Sequence, residues 1–190
     1  MRPGLVIIAL WIGWALSWIA ASGWRTDAVK RAGGAAELTY RLVSFLGGVI
    51  LAIPAHGYEG PLRLWHIGPG VWLCIAAEAA GFAFCWWARI HLGKLWSGEV
   101  TLKPDHHVVD SGPYAIVRHP IYTGILLAAL ATMAAKGTIP GVLGALLLVV
   151  GLWLKARLEE NFLRQELGAE AYDSYRRRVP MLVPFGPKAK

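Results

Sequence analysis

Charge is scarce in this chain, and acid is scarcer than base: 12 Asp and Glu stand against 19 Lys and Arg in 190 residues, and only 16% of positions are charged. With 56% hydrophobic residues and a mean hydropathy of +0.46, the sequence holds too little polar surface for an ordinary soluble domain. Cysteine is nearly absent. Cys74 and Cys85 lie eleven positions apart in an apolar run, and on one helix that spacing separates them by about 16 Å along the axis, too far for a mutual disulfide. No glycine-rich turn follows a strand pattern, which excludes a Rossmann-type nucleotide fold. No third and fourth ligand stands at a fitting spacing beside His106 and His107, so no metal site is expected. There is no internal repeat, low-complexity linker or second soluble domain. Residues 1–190 read as a single integral-membrane domain.

Long apolar runs are what the chain does have. Five stretches, about 4–22, 38–56, 69–90, 119–135 and 138–156, approach the roughly 20 residues that a bilayer-spanning helix needs. The fold class predicted is therefore all-α, a polytopic membrane protein with about five transmembrane helices. The run from Pro3 to Trp24 exceeds the roughly 7 to 15 apolar residues of a signal peptide and reads as a retained first span. In the second run only Leu42 to Ala55 is free of charge, and Pro54 sits near its end. Lys136-Gly137-Thr138 alone joins the fourth and fifth, which must form an antiparallel hairpin with Pro140 in the first turn of the fifth. Ten Trp residues read as interface belts and helix packing.

Lys and Arg gather in alternate loops. Arg25, Lys30, Arg31 and Arg41 follow span one, Arg89, Lys94, Lys103 and Arg118 follow span three, and a basic tail follows span five; the two opposite loops hold only Arg63 and Lys136. The positive-inside rule then puts the N-terminus outside and the C-terminus in the cytoplasm. The same rule accounts for the net charge of +7 without nucleic acid. Arg176-Arg177-Arg178 reads as a contact with anionic lipid headgroups. Between His91 and Arg118 an ordered cytoplasmic loop is expected, with a sharp turn at Ser111-Gly112-Pro113. Apolar residues at Phe162, Leu163, Leu167 and Tyr172 predict a helix continuing span five into the cytosol, with Gly168 a candidate end.

Two motifs share that cytoplasmic side. One is Gly112-Pro-Tyr114-Ala-Ile-Val-Arg118-His119-Pro120-Ile-Tyr122-Thr-Gly124; the other runs from Lys155-Ala-Arg157-Leu-Glu159-Glu160 through Leu167-Gly168-Ala-Glu-Ala-Tyr172-Asp-Ser-Tyr175 to Arg178-Val-Pro180. In these residues the chain resembles the isoprenylcysteine carboxyl methyltransferase family of prokaryotic type, integral-membrane enzymes that use S-adenosylmethionine, over roughly Leu92 to Phe185.

The resemblance implies a cofactor site in the cytoplasmic part of the C-terminal half, made by His106 or its neighbour His107, Val108, Val109, Tyr114, His119, Pro120, Tyr122 and one of Glu159 and Glu160. It also implies a substrate-positioning cation at Arg157 or Lys155. A site for S-adenosylmethionine needs a carboxylate for its ammonium, donors for its carboxylate and apolar or aromatic walls for adenine. Each residue has a plainer reading too. Arg118-His119-Pro120 also suits a helix start at the membrane boundary, and the Glu pair suits solvated i,i+4 partners of Lys155 or Arg164. Glu78, a carboxylate in mid-span, is costly unless protonated or paired; a bond to a neighbouring helix and a place in the substrate pocket both account for it. The expected reaction is methyl transfer to a lipophilic acceptor that enters from the lipid bilayer, such as the carboxylate of a prenylated cysteine or another hydrophobic acid. Its rivals are N-methylation of an amine-bearing lipid and, with fewer features in support, an NADPH-dependent reductase similar to sterol reductases.

Overall fold

The structure is a computed structural model that describes residues 2–53, 62–104 and 107–189. Among the described residues six α-helices carry the fold: α1 (Pro3–Ala20), α2 (Ala35–Ala52), α3 (Val71–Leu92), α4 (Pro120–Lys136), α5 (Ile139–Leu167) and α6 (Ala169–Arg178). Two short strands, β1 (Lys30–Arg31) and β2 (Thr101–Leu102), pair antiparallel between the loops after α1 and α3. The all-α prediction holds. Four helices, α1, α2, α3 and α5, are long and apolar enough to cross a membrane by length and composition. The fourth expected span, α4, is an apolar helix of 17 residues, at the lower limit for a crossing.

The helix boundaries follow local chemistry. Pro3 and Pro120 open α1 and α4, where a missing N–H costs nothing. Gly137 ends α4 in the left-handed region at φ +59, and the Thr138 hydroxyl caps α5 by accepting from Gly141 N at 3.2 Å. That is the hairpin the three-residue link demanded. The second span differs from expectation: α2 starts at Ala35, three residues before the predicted 38, because Glu37 sits in its first turn and pairs with Arg41, where the helix dipole favours a carboxylate. Pro54 lies outside the described residues. Beyond the predicted end of span five, α5 runs on to Leu167; Gly168, at φ +94, then breaks it and starts α6. Tyr172 therefore belongs to a separate helix.

Close backbone contact, rather than bulky interdigitation, joins the main helix pairs, α2 with α5 and α3 with α4. A methyl carbon added at Gly81 would lie 2.5 Å from Gly124 O, and one at Gly144 would lie 2.5 Å from Leu51 N. Small residues let helices meet at this range in lipid. Gly81→Ala should force α3 from α4 and lower stability by about 1–3 kcal/mol, read as a lower unfolding midpoint in detergent. Wild-type stability in that variant would contradict the packing.

By contrast, α1 touches the bundle through aromatic rings. Trp14 stacks on Phe82 at 5.2 Å, Trp18 meets Trp96 at 5.6 Å, and Trp11 Nε1 donates to Thr132 Oγ1 at 3.0 Å. Much of the outer surface is apolar: Leu16, Phe45, Leu73 and Leu146, on four different helices, are each more than half exposed, as a lipid-facing belt requires. Cys74 and Cys85 are buried free thiols on α3, and Cys85 Sγ donates to Ile121 O at 3.3 Å.

The ends of α1 and α3 are tied together by Arg89, which is buried and donates to Gly93 O, Ala21 O and Trp24 O at 2.7 to 3.1 Å. Its guanidinium also lies over the rings of Trp24 and Trp96. Three carbonyls beyond helix ends thus share one cationic donor, two of them, Ala21 O and Gly93 O, also accepting from Trp24 N and Trp96 N. In the sequence Arg89 reads only as a topogenic charge.

Candidate functional site

The start of α4, the extended part of α5, α6 and the loop after α3 converge on one cleft. It encloses about 1100 Å³ of space not filled by atoms, a figure that takes in open solvent at its mouth. Its apolar lining includes Trp18, Leu92, Trp96, Ile121, Ile125 and Leu152, and its polar lining includes Glu99, His107, Tyr114, His119, Tyr122, Lys155 and Glu159.

The loop that leads into α4 sets this geometry. At φ +57 Gly112 starts the 3-10 turn Gly112–Ala115, and a Cβ there would lie 2.7 Å from the His91 ring. The sharp turn expected at Ser111-Gly112-Pro113 is present, closed by Tyr114 N donating to Ser111 O at 3.1 Å. Tyr114 is thereby buried in the cleft wall, and its carbonyl accepts from the Tyr175 hydroxyl at 2.8 Å. Burial pushes the Tyr114, Tyr172 and Tyr175 phenols well above the usual range, so all three remain neutral donors at physiological pH.

Consecutive residues of α5 face different ways, and that divides the two glutamates. Glu160 is 2% exposed and turns toward α4 and α6: Arg118 Nε donates to its Oε1 at 2.6 Å, His119 Nε2 lies 3.2 Å from the same oxygen, and Arg176 Nε lies 3.2 Å from Oε2 as an ion pair not aligned for a hydrogen bond. The Arg118 guanidinium goes on to donate to Arg176 O at 3.1 Å and to Val179 O. Glu159 lines the cleft instead. It accepts from the Tyr122 hydroxyl at 2.6 Å, while His119 Nδ1 stands 3.7 Å away and its ring stacks on Tyr122 at 5.2 Å with 4° between planes. His119 therefore bridges a buried carboxylate and a cleft carboxylate.

The expected site residues divide accordingly. Val108, Val109, Tyr114, His119, Pro120, Tyr122, Glu159 and Lys155 all line the cleft. Of the histidine pair, His107 lines it too, and His106 lies outside the described residues. Glu160 supports the cleft from behind without lining it. Arg157 is not brought in: it is exposed, with its guanidinium over the Trp153 ring at 5.4 Å. Two residues at 100° each put it roughly opposite Lys155 on the helix, whereas Lys155 and Glu159, four apart, share a face. Lys155 Nζ donates to Gly98 O at 2.8 Å and sits 5.2 and 5.6 Å from the Tyr122 and Tyr40 rings. Glu78 is fully buried on α3 outside the cleft lining, and neither carboxylate oxygen has a partner among the described residues.

Arg118, Arg176 and Tyr175 hold this site together without having been singled out for it. Arg118 was legible as part of the first motif but equally as a boundary charge. Arg176 had been grouped with Arg177 and Arg178 as a lipid contact, whereas it turns inward to Glu160 and Asp173, and Arg178 pairs with Asp110 at 2.9 Å. Only the fold of α6 against α5 shows this. No group of three or more potential metal ligands occurs among the described residues.

Residues 72–165 match the sequence profile of the Isoprenylcysteine carboxyl methyltransferase (ICMT) family. Over that segment, just under half of the chain, the sequence is similar to this family. It is also 34% identical over 106 residues to protein-S-isoprenylcysteine O-methyltransferase of Schizosaccharomyces pombe, covering 53% of this chain and 43% of that protein. Methanethiol S-methyltransferase 2 of Bradyrhizobium diazoefficiens is 48% identical over 71 residues, 37% of this chain and 26% of the relative. Protein-S-isoprenylcysteine O-methyltransferase B of Arabidopsis thaliana is 33% identical over 104 residues, 52% of this chain and 51% of the relative. The matches thus span about half, or less, of these curated relatives. The ICMT segment includes the start of α4, both glutamates and Lys155.

Proposed function

We propose that the cleft binds S-adenosylmethionine and that the protein transfers its methyl group to a lipophilic acceptor, with a carboxylate acceptor such as that of an isoprenylcysteine favoured. The observation that carries this reading is the cleft's mixed lining, in which Glu159, His119, Tyr122 and Lys155 share one space with Trp18, Trp96, Ile121 and Leu152. The residues fit the cofactor. Glu159 is a carboxylate with room for an ammonium partner, His107 and His119 offer donors to a carboxylate, and Tyr114, Trp96 and Val109 provide flat and apolar contacts for adenine.

When bound, the cofactor supplies an electrophilic methyl on a sulfonium. The chain's own contribution is to orient and to exclude water. A carboxylic acid acceptor is ionised at neutral pH and needs no base, so Lys155 serves by holding it in line while the apolar lining desolvates it. Glu160, tied to Arg118 and Arg176, fixes the backs of His119 and of the α5 turn that carries Glu159. A thiol acceptor is the second reading, favoured by the 48% identity to a methanethiol S-methyltransferase. Titration calorimetry in detergent tests cofactor choice: S-adenosylmethionine and its demethylated product should bind, and binding of NADPH alone would refute this function.

In the same reading the cleft opens to the cytoplasm. The basic loops after α1 and α3 pair through β1 and β2 at the cleft end, whereas Arg63 bridges Thr138 at the opposite end. In intact cells a membrane-impermeant thiol reagent should label Leu62→Cys and spare Lys188→Cys. The reverse pattern would overturn the orientation.

A further inference from the structure

After α6 the chain runs back along the first turn of α4. Arg118 N donates to Pro180 O at 2.9 Å, His119 N to Met181 O at 3.1 Å, and Thr123 Oγ1 to Leu182 O at 2.6 Å. The bond from His119 N satisfies an N–H that a helix start leaves unpaired. Together the three bonds fix the strap at the level where α4 enters the apolar belt, since Leu127 and Leu130, one and two turns further along, are each 42% exposed.

The residues that follow turn away from the protein. Gly186 N donates to Val183 O at 2.9 Å, closing a turn with Pro184 and Phe185 at its corners. Phe185 has φ +62, the only positive φ of a non-glycine residue among those described. Proline at the first corner and positive φ at the second is the type II pattern, whose second corner ordinarily goes to Gly or Asn. A bulky side chain there is strained. What the strain secures is presentation: Phe185 is 99% exposed and Val183 65% exposed, an arrangement water disfavours. Exposed cations flank the tip at Arg177 and Lys188.

We propose that the Val183–Gly186 turn is a membrane wedge: Phe185 and Val183 enter the acyl boundary of the leaflet beside α4, and Arg177 and Lys188 meet anionic headgroups. Apolar tip, basic flank and continuity with the lipid-facing surface of α4 all select an anionic bilayer over a protein partner.

The test uses the full chain in proteoliposomes with a nitroxide on Phe185→Cys and, as a second reporter, on Val183→Cys. Cys74 and Cys85 are buried, which directs the label to the introduced thiol. At both positions the label should collide with oxygen more than with a water-soluble nickel chelate. Nickel accessibility should fall further when phosphatidylglycerol is mixed into phosphatidylcholine. Labels equally open to the chelate in both vesicles would overturn the wedge, and insertion indifferent to the anionic lipid would overturn its electrostatic half. Neither result depends on methyl transfer.

Discussion

Glu160→Ala should cost the protein about 3–5 kcal/mol of stability and abolish binding of S-adenosylmethionine at the same time. The carboxylate is 2% exposed and holds Arg118 at 2.6 Å and His119 at 3.2 Å, with Arg176 3.2 Å from its second oxygen. Removing it leaves the Arg118 guanidinium, itself 6% exposed, without its counter-charge. His119 would lose one of its two anchors. Glu159→Gln makes the contrast: this carboxylate faces the cleft, where it pairs with Tyr122 and His119, so the fold should survive while cofactor affinity falls by about 1–3 kcal/mol, the worth of a charged hydrogen bond. Thermal unfolding and calorimetry on both variants in detergent separate the roles. If Glu160→Ala unfolds like wild type, or Glu159→Gln binds cofactor at full affinity, the division between a supporting and a ligand-facing glutamate is wrong.

The second large effect belongs to Lys155. Its replacement by alanine should reduce turnover by roughly 10²–10³-fold, the scale for losing one preorganised electrostatic group, with cofactor affinity little changed. Arg157→Ala should keep near-wild-type turnover, because that side chain points away from the cleft over Trp153. Turnover rates beside dissociation constants decide between them. Loss of turnover in Arg157→Ala with Lys155→Ala unaffected would restore Arg157 as the positioning cation.

The reach of the sequence is clearest where local rules dominate. Pro120, Gly137, Thr138 and Gly168 each mark a boundary that the helices respect, since proline geometry, a left-handed glycine and a hydroxyl cap act within a few residues. Of the first motif, Tyr114, His119, Pro120 and Tyr122 come to line one cleft. What stayed hidden depends on rotation and on long-range pairing. Three residues separate Arg157 from Glu160, yet Arg157 points outward and Glu160 points into a buried cluster; nothing in the spacing reveals which face of α5 meets α4. Arg176 looks like Arg177 and Arg178 in a row of three, and only the turn at Gly168, which folds α6 back on α5, sends it to Glu160. Arg89 shows the same limit: a basic residue after a span reads as a boundary marker, whereas here it is buried between two tryptophans and bonded to three carbonyls.

Methyl transfer itself is tested most directly by incubating the full-length protein in liposomes with S-adenosylmethionine labelled in its methyl group and a panel of prenyl-cysteine, fatty-acid, thiol and amine acceptors, for wild type and Glu159→Gln in parallel. Label extracted with a carboxylate acceptor by the wild type, and largely lost in Glu159→Gln, is the expected result. Label in no acceptor, or in equal amounts from both proteins, would contradict methyl transfer from this cleft.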